Sequence, residues 1–188
     1  MISVIKEKLK KYIGKEIESP QDICAGVLIP LFEADGEAFV LLTKRTEMVK
    51  QHKGEVSFPG GMCEDEDEST LGTALRECCE EIGLMKEDVE IIGRLDDMVT
   101  MTGFVITPYV GIIPYPYRFK PNPREVAYII HLPLTHLIEV EPSLEEHLLD
   151  GKTELVPSFH YKGERIWGAT CRILLKLRKI IEDEEIQP

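Results

Sequence analysis

The sequence predicts a domain of the α/β or α+β class, built as a sandwich of strands and helices. Segments of strand character occur throughout the chain and are mixed with a few segments of helical periodicity. Apolar residues make up 43% of the chain and charged residues 30%, as in globular proteins. A chain of 188 residues fits one domain with a sizeable core, so we expect a single domain over residues 1–188.

Three helices are predicted from apolar spacing and from capping residues. The first covers residues 2–13, the second about 69–82 and the third about 168–182. Ser69 is a typical N-cap for the second helix, and Gly83 is a typical residue just beyond its end. The apolar residues of the first helix are Ile2, Ile5, Leu9, Tyr12 and Ile13.

Seven strands are expected between and after these helices. A turn at 34–36 separates the first two strands, and a polar loop at 46–54 precedes the third. The glycines after Pro59 interrupt the chain before the second helix. The predicted strands lie near 23–32, 38–44, 55–58, 89–96, 104–113, 125–132 and 157–167.

Composition excludes several classes of function. A net charge of −12 disfavours general binding to nucleic acid, and no apolar run has the roughly 18 residues needed to span a membrane. The first residues lack the unbroken apolar centre of a signal peptide. Five cysteines are an odd number for a disulfide framework, so we expect none and expect a cytoplasmic protein.

The stretch LRECCEEIGL at 75–84 contains the main candidate site. At about 100° per residue, Glu77, Glu80 and Glu81 fall within one arc of about 100° on the second helix. Like charges at this spacing repel each other, and the C-terminal end of a helix disfavours anions. A bound Mg²⁺ or Mn²⁺ ion would relieve the repulsion, because carboxylate oxygens suit these cations. The alternative is a solvated acidic face.

The two adjacent cysteines of the same stretch are expected to pack in the core. Cys78 and Cys79 share an arc with Leu75 and Ile82, away from the acids. Free cysteine is often a small core residue. The alternatives are redox chemistry or zinc binding, and neighbouring thiols on a helix point about 100° apart, which is poor geometry for one zinc ion.

The segment GMCEDEDESTLGTALRECCEEIGL at 61–84 resembles the Nudix box of the Nudix hydrolases. Arg76, Gly83 and Leu84 match it together with the three acids and the apolar slot at Cys78. The spacing after Gly61 is one residue longer than in the basic pattern, so either Asp67 or Glu68 fills the first Glu slot of the box. The resemblance implies the Nudix fold, which is a mixed β-sheet sandwiched between helices.

The segment LLTKRTEMVKQHKGEVSFPGG at 41–61 resembles the signature of the coenzyme A diphosphatase branch. The similarity extends over about residues 22–181. It implies hydrolysis of the pyrophosphate bond of coenzyme A or its thioesters, giving 3′,5′-ADP and 4′-phosphopantetheine species. The alternatives are another nucleoside diphosphate derivative, such as ADP-ribose, NADH or an oxidised nucleotide, and a non-catalytic nucleotide-binding module. A redox function of the cysteines is the least favoured alternative. The protein could assemble as a homodimer.

The resemblance also assigns roles to residues of the box. Glu77 and Glu81 are implied to be the primary metal ligands, with Glu80 in support and the backbone carbonyl of Gly60 as a further ligand. Arg76 is expected to orient a carboxylate rather than to bind substrate. Glu77 or Glu80 is the first choice for the general base. Three remote acids are alternatives, although each is first interpreted as a surface or structural residue: Glu125, Glu145 and Glu146.

A basic loop is the second candidate site in this acidic chain. A solvated loop of mixed charge is one interpretation; binding of the 3′-phosphate of coenzyme A is the other. Among the basic residues of this loop, Arg45 is the strongest candidate for binding that phosphate. Trp167 is expected in the core, and Tyr115 and Tyr117 could line the pocket. The basic residues of the loop are Lys44, Arg45, Lys50, His52 and Lys53.

Overall fold

The fold is known from a computed structural model that describes residues 1–17, 23–49, 52–100, 103–149 and 152–183. These ranges contain four helices and eleven strands. The helices are α1 (Ile2–Lys11), α2 (Thr70–Ile82), α3 (Leu134–Glu139) and α4 (Gly168–Glu182), and a short 3₁₀ helix covers Lys86–Asp88. The strands are β1 (Ile23–Ala34), β2 (Glu37–Arg45), β3 (Val56–Ser57), β4 (Gly60–Met62), β5 (Glu90–Arg94), β6 (Met98–Val99), β7 (Phe104–Ile112), β8 (Val126–Pro133), β9 (Ser143–Leu149), β10 (Lys152–Tyr161) and β11 (Glu164–Trp167).

The main sheet is mixed, as the sequence predicts. Its central path runs β3-β2-β1-β7-β5, while β4 also pairs with β1, β6 with β7 and β8 with β2. Strands β1 and β7 are parallel, and the other described pairs are antiparallel. A second, antiparallel sheet has the order β11-β10-β9.

Helices cover both faces of the main sheet because β1 and β2 are apolar on both faces. Ile29 and Leu31 of β1 belong to the larger core cluster, which also contains residues of α1 and α4. Leu28 and Phe32 point the other way and pack with Cys78 and other residues of α2. This layering confirms the predicted Nudix fold, in which a mixed sheet lies between helices.

The structure corrects several predicted element boundaries. Helix α1 ends at Lys11, and Ile13 is 89% exposed, so Ile13 does not belong to the apolar stripe. The strand predicted at 157–167 is two strands, because Lys162 and Gly163 form a turn with positive φ angles. Four short or weakly patterned elements were not predicted: β4, β6, α3 and β9.

None of the helices in the described ranges is both long enough and apolar enough to span a membrane. The larger core cluster draws on α1 and α4 as well as on the sheet. The single domain over residues 1–188 stays a prediction.

Candidate active site

Helix α2 carries the acid run and is capped as the sequence predicts. The Ser69 hydroxyl accepts a hydrogen bond from the Gly72 amide at 3.1 Å, which satisfies a free donor at the helix start. Gly83 ends the helix with φ 68°, a left-handed conformation that glycine adopts without strain. The helix packs on β1 and β4, and its acids Glu77 and Glu81 lie beside the glycines that begin β4.

The three acids of α2 differ sharply in exposure. The side chain of Glu81 is 1% exposed, that of Glu77 16% and that of Glu80 56%. The helix face that carries the three acids therefore runs from a buried position against the sheet to an exposed position in solvent. Of these three acids, Glu77 and Glu81 line a cavity and Glu80 does not.

Glu81 is held by one cation and one amide. Arg45 Nη1 donates to Glu81 Oε1 at 3.1 Å, and the Gly60 amide donates to Oε2 at 3.3 Å. Burial raises the pKa of Glu81 to about 7; Arg45 opposes this shift, and the nearby Glu77 and Glu125 carboxylates add to it. The site thus contains a desolvated carboxylate whose charge is opposed mainly by Arg45.

Arg76 orients carboxylates, and it also identifies the first acidic position of the box. Its Nε and Nη2 atoms each donate to one oxygen of Asp67 at 3.0 Å, and Nη1 donates to Glu77 at 3.0 Å and to Glu80 at 3.3 Å. Hydrogen bonds from Arg76 hold the pKa of Asp67 well below its usual range. Asp67 therefore occupies the slot that the sequence left open between Asp67 and Glu68, and Glu68 is exposed.

Burial also raises the pKa of Glu77, and Arg76 opposes that shift. Strand β4 lies directly against this carboxylate. A Cβ atom at Gly61 would lie 2.4 Å from Glu77 Oε1, so a larger residue here would displace the end of the Glu77 side chain. The lack of a side chain at Gly61 thus lets the main chain of β4 lie close to the Glu77 carboxylate.

Glu125 is the acid that the sequence interpretation undervalued. It precedes β8, lines the same cavity, and its charge raises the pKa of both Glu77 and Glu81. Asn122 Nδ2 donates to Glu125 Oε1 at 3.0 Å and orients the carboxylate. Among the three remote acids, Glu125 is therefore the one that joins the cluster. Glu145 pairs instead with Arg165 and with the Ser158 hydroxyl, and Glu146 is exposed on β9.

The basic loop divides into residues that reach the cavity and residues that do not. Arg45 and His52 line the cavity, and His52 Nδ1 lies 3.0 Å from Glu55 Oε2. Lys44 forms an ion pair with Glu164, and neither Lys44 nor Lys53 lines the cavity. Lys50 lies outside the described residues.

The cavity has a volume of about 750 Å³ and lies between the acids and the second sheet. Trp167 lines its wall and is half-buried, so its predicted place in the core is wrong. The indole stacks on His147 with ring centroids 5.3 Å apart, and the guanidinium of Arg165 lies 4.7 Å from the indole centroid. Tyr115 and Tyr117 do not line the cavity, in contrast to the expectation that they could.

Two findings on the cysteines differ from the sequence interpretation. Cys78 is buried as expected, but Cys79 is exposed because it lies at the outer edge of the apolar arc. Cys24 and Cys63 form a disulfide with Cα atoms 5.6 Å apart, where no disulfide was expected. The bridge connects β1 to the residue after β4, because those strands pair as neighbours.

A family profile described as the NUDIX domain matches residues 23–151. The chain belongs to the Nudix family. It is a Nudix hydrolase of the pyrophosphohydrolase type and acts on nucleoside diphosphate derivatives.

Relatives and solved structures agree with the family assignment. A protein of Photorhabdus laumondii named uncharacterized Nudix hydrolase NudL is 33% identical over 162 residues, which is 84% of each chain. An Enterobacter protein of the same name is 38% identical over 157 residues, covering 81% of this chain and 80% of its own. A MutT/nudix family protein from Enterococcus faecalis has the same fold, with a TM-score of 0.56 and 17% identity; the match covers 89% of this chain and 64% of that one.

A divalent cation fits the donor set of this Nudix site. Glu77, Glu81 and Glu125 are hard oxygen donors, and the charges of Glu77 and Glu125 raise the pKa of Glu81, so a cation among the three would relieve the repulsion. Across the described residues, no three acidic, histidine or cysteine side chains are already gathered closely enough to hold a metal ion. Arg45 and Arg76 instead take up several of the carboxylate oxygens.

Proposed function

We propose that this Nudix hydrolase cleaves the pyrophosphate bond of coenzyme A or its thioesters, releasing 3′,5′-ADP and a 4′-phosphopantetheine species. One observation carries the proposal: the segment at 41–61, which resembles the coenzyme A diphosphatase signature, forms the cavity wall beside the acids. Its residues in that wall include Arg45, His52, Ser57 and Gly60.

The proposed metal ligands are the carboxylates of α2. Glu77 and Glu81 would hold Mg²⁺ or Mn²⁺, with Glu80 in support and the carbonyl of Gly60 as a further ligand. When bound, such an ion neutralises phosphate charge and lowers the pKa of a water molecule. The close approach of β4 to Glu77 supports a backbone ligand from the glycine pair.

The proton of the attacking water needs an acceptor within this cluster. Glu77 is one candidate because burial raises its pKa toward the operating pH. Glu80 was an equal choice from the sequence, but its 56% exposure and its contact with Arg76 make it the weaker one. Glu125 is the second candidate, because it lies in the same cavity and Asn122 orients it.

Arg45 and Arg76 act on carboxylates in this proposal. Arg45 compensates the charge of Glu81 and so is engaged before any substrate enters. Arg76 positions Glu77 and Asp67. Of the basic residues proposed to bind substrate, His52 stays a candidate at the cavity wall, whereas the positions of Lys44 and Lys53 give that role no support.

Two alternatives compete with this proposal. Another Nudix substrate, such as ADP-ribose, NADH or an oxidised nucleotide, would use the same acids. A non-catalytic nucleotide-binding module is disfavoured, because such a module needs no desolvated carboxylate cluster. Cytoplasmic location and a homodimeric assembly stay predictions from the sequence.

A substrate panel tests the proposal. The protein is incubated with Mg²⁺ or Mn²⁺ and coenzyme A, acetyl-coenzyme A, ADP-ribose, NADH or 8-oxo-dGTP, and kcat/KM is measured for each. We expect coenzyme A or its thioester to give the highest value. A higher kcat/KM for ADP-ribose, NADH or 8-oxo-dGTP would reject the coenzyme A assignment.

A further inference from the structure

Four basic side chains line the cavity in the described part of the chain, and three of them have partners. Arg45 donates to Glu81, and His52 contacts Glu55. His147 stacks on Trp167, and its Nε2 atom lies 3.2 Å from Arg165 Nη2. The fourth basic side chain is that of Arg172.

Arg172 differs from the others in its contacts. It lies in the second turn of α4, it is half-buried, and its side chain makes no hydrogen bond or ion pair with any residue that the structure describes. A guanidinium is always charged and has five N–H donors and no acceptor. Its nitrogens are not among the buried side-chain atoms that lack a partner, so they are accessible from the cavity, where an anion can accept their hydrogen bonds.

The location of Arg172 indicates which anion this is. Helix α4 packs on α1, α3, β10 and β11, whereas α2, which carries Glu77 and Glu81, packs on β1, β4 and β7. Arg172 therefore contributes to the cavity wall from a different set of elements than the acids do. It lies on the side of the indole of Trp167, which directly precedes α4. A substrate whose scissile diphosphate sits at the acids would present a different group here.

We propose that Arg172 binds a phosphate group of the substrate outside the scissile diphosphate, and so selects 3′-phosphorylated nucleotides. The inference rests on the proposed function, because coenzyme A carries such a group as its ribose 3′-phosphate. It assigns to α4 the role that the sequence interpretation gave to the loop around Arg45. Arg172 acts on affinity and specificity and takes no part in the bond cleavage.

Binding of two nucleotides tests the proposal without requiring turnover. The dissociation constants of 3′,5′-ADP and 5′-AMP are measured by calorimetry for the wild-type protein and for Arg172→Gln, with Mg²⁺ present. We expect the wild type to bind 3′,5′-ADP at least about tenfold more tightly than 5′-AMP, as a charged hydrogen bond allows. Arg172→Gln should remove that preference and leave 5′-AMP binding within about twofold, and Arg172→Lys should restore part of it.

Arg118→Gln is the matched control, because Arg118 is exposed and does not line the cavity. It should keep the preference of the wild type. The proposal is overturned if the wild type shows no preference for 3′,5′-ADP, if the preference survives in Arg172→Gln, or if that variant weakens both nucleotides equally. Failure of the proposed function is a separate result: the wild type would then bind 3′,5′-ADP selectively but leave coenzyme A intact.

Discussion

Arg76 binds both oxygens of Asp67 through two separate N–H groups, each at 3.0 Å. The same guanidinium reaches Glu77 and Glu80 from its remaining Nη1 atom. The loop before α2 and the acids on α2 are thus joined by one cation. The extra residue after Gly61 is accommodated because Asp67 takes the pairing position and Glu68 turns to solvent.

The first prediction concerns this pairing. Asp67→Asn removes a carboxylate that is 7% exposed and leaves Arg76 without its main partner. We expect a loss of about 1–3 kcal/mol in the free energy of unfolding. We also expect lower kcat/KM, because Glu77 loses its positioning. Urea unfolding and steady-state kinetics measure the two effects, and Glu68→Gln is the control that should resemble wild type. A larger effect from Glu68→Gln than from Asp67→Asn would reject the assignment of the slot.

The second prediction ranks the acids of α2. Glu81→Gln should lower kcat by a factor on the order of 10² or more, because it removes the buried charge that would hold the cation. Glu80→Gln should cost less than about fivefold, since an exposed ion pair contributes little. Initial rates with coenzyme A and Mn²⁺ measure the order, and circular dichroism verifies the fold. Equal activities for Glu81→Gln and wild type would refute the metal-ligand assignment.

The third prediction separates Glu125 from the other remote acids. Glu125→Gln should lower kcat by about 10²-fold or more if this carboxylate accepts the proton of the attacking water. Glu146→Gln, on the exposed face of β9, should leave kcat unchanged. The pH dependence of kcat is measured for both variants. If Glu125→Gln retains full kcat, then Glu77 is left as the proton acceptor.

The fourth prediction concerns pH and the connection of the N-terminal segment to α4. Burial opposes ionisation of Asp96, but hydrogen bonds from the Lys15 amide, Lys176 and Tyr12 outweigh it and lower the pKa to about 2. Because the pKa of Asp96 is lower in the folded protein than its unfolded value of about 3.9, ionised Asp96 stabilises the fold. This stabilisation is present above pH about 3.9 and is lost as the pH falls through about 2. Asp96→Asn should therefore reduce the free energy of unfolding at pH 7 by at most about 2.6 kcal/mol.

Urea unfolding of Asp96→Asn and wild type at several pH values checks this prediction. The difference in the free energy of unfolding between the two proteins should have its maximum value at pH 5 and above, and about half that value near pH 3. Asp65→Asn is a suitable control for the loss of one exposed charge on the surface. A difference that stays constant from pH 7 to pH 3 would mean that the Asp96 contacts do not stabilise its ionised form.

Local rules were sufficient to predict the acid-bearing helix. Ser69, Gly83 and the apolar spacing define α2 within one residue, because capping and amphipathicity depend on neighbours in the chain. The helical wheel also separates Glu77 from Cys78 correctly. The helical wheel is wrong in predicting that Cys79 is buried, because it gives only the direction of a side chain and does not show how far the sheet extends to cover it.

Contacts between distant segments could not be predicted in the same way. A single sequence does not show that Glu125 lies near Glu81, which is 44 positions earlier in the chain. It also does not show that Arg45 pairs with Glu81 and is not left free to bind the substrate. Trp167 was assigned to the core because large aromatic residues usually lie there. The second sheet, which brings His147 beside it, includes β9, and β9 was not predicted.

We propose that the protein hydrolyses the diphosphate of coenzyme A by means of the acids of α2. Analysis of the reaction products tests this proposal most directly. Coenzyme A is incubated with the protein and Mn²⁺, and the products are identified by chromatography with mass spectrometry. We expect equal amounts of 3′,5′-ADP and 4′-phosphopantetheine from the wild-type protein, and at least about a hundredfold less of both in the same time from Glu81→Gln. Intact coenzyme A in a preparation that rapidly hydrolyses ADP-ribose would contradict the proposal.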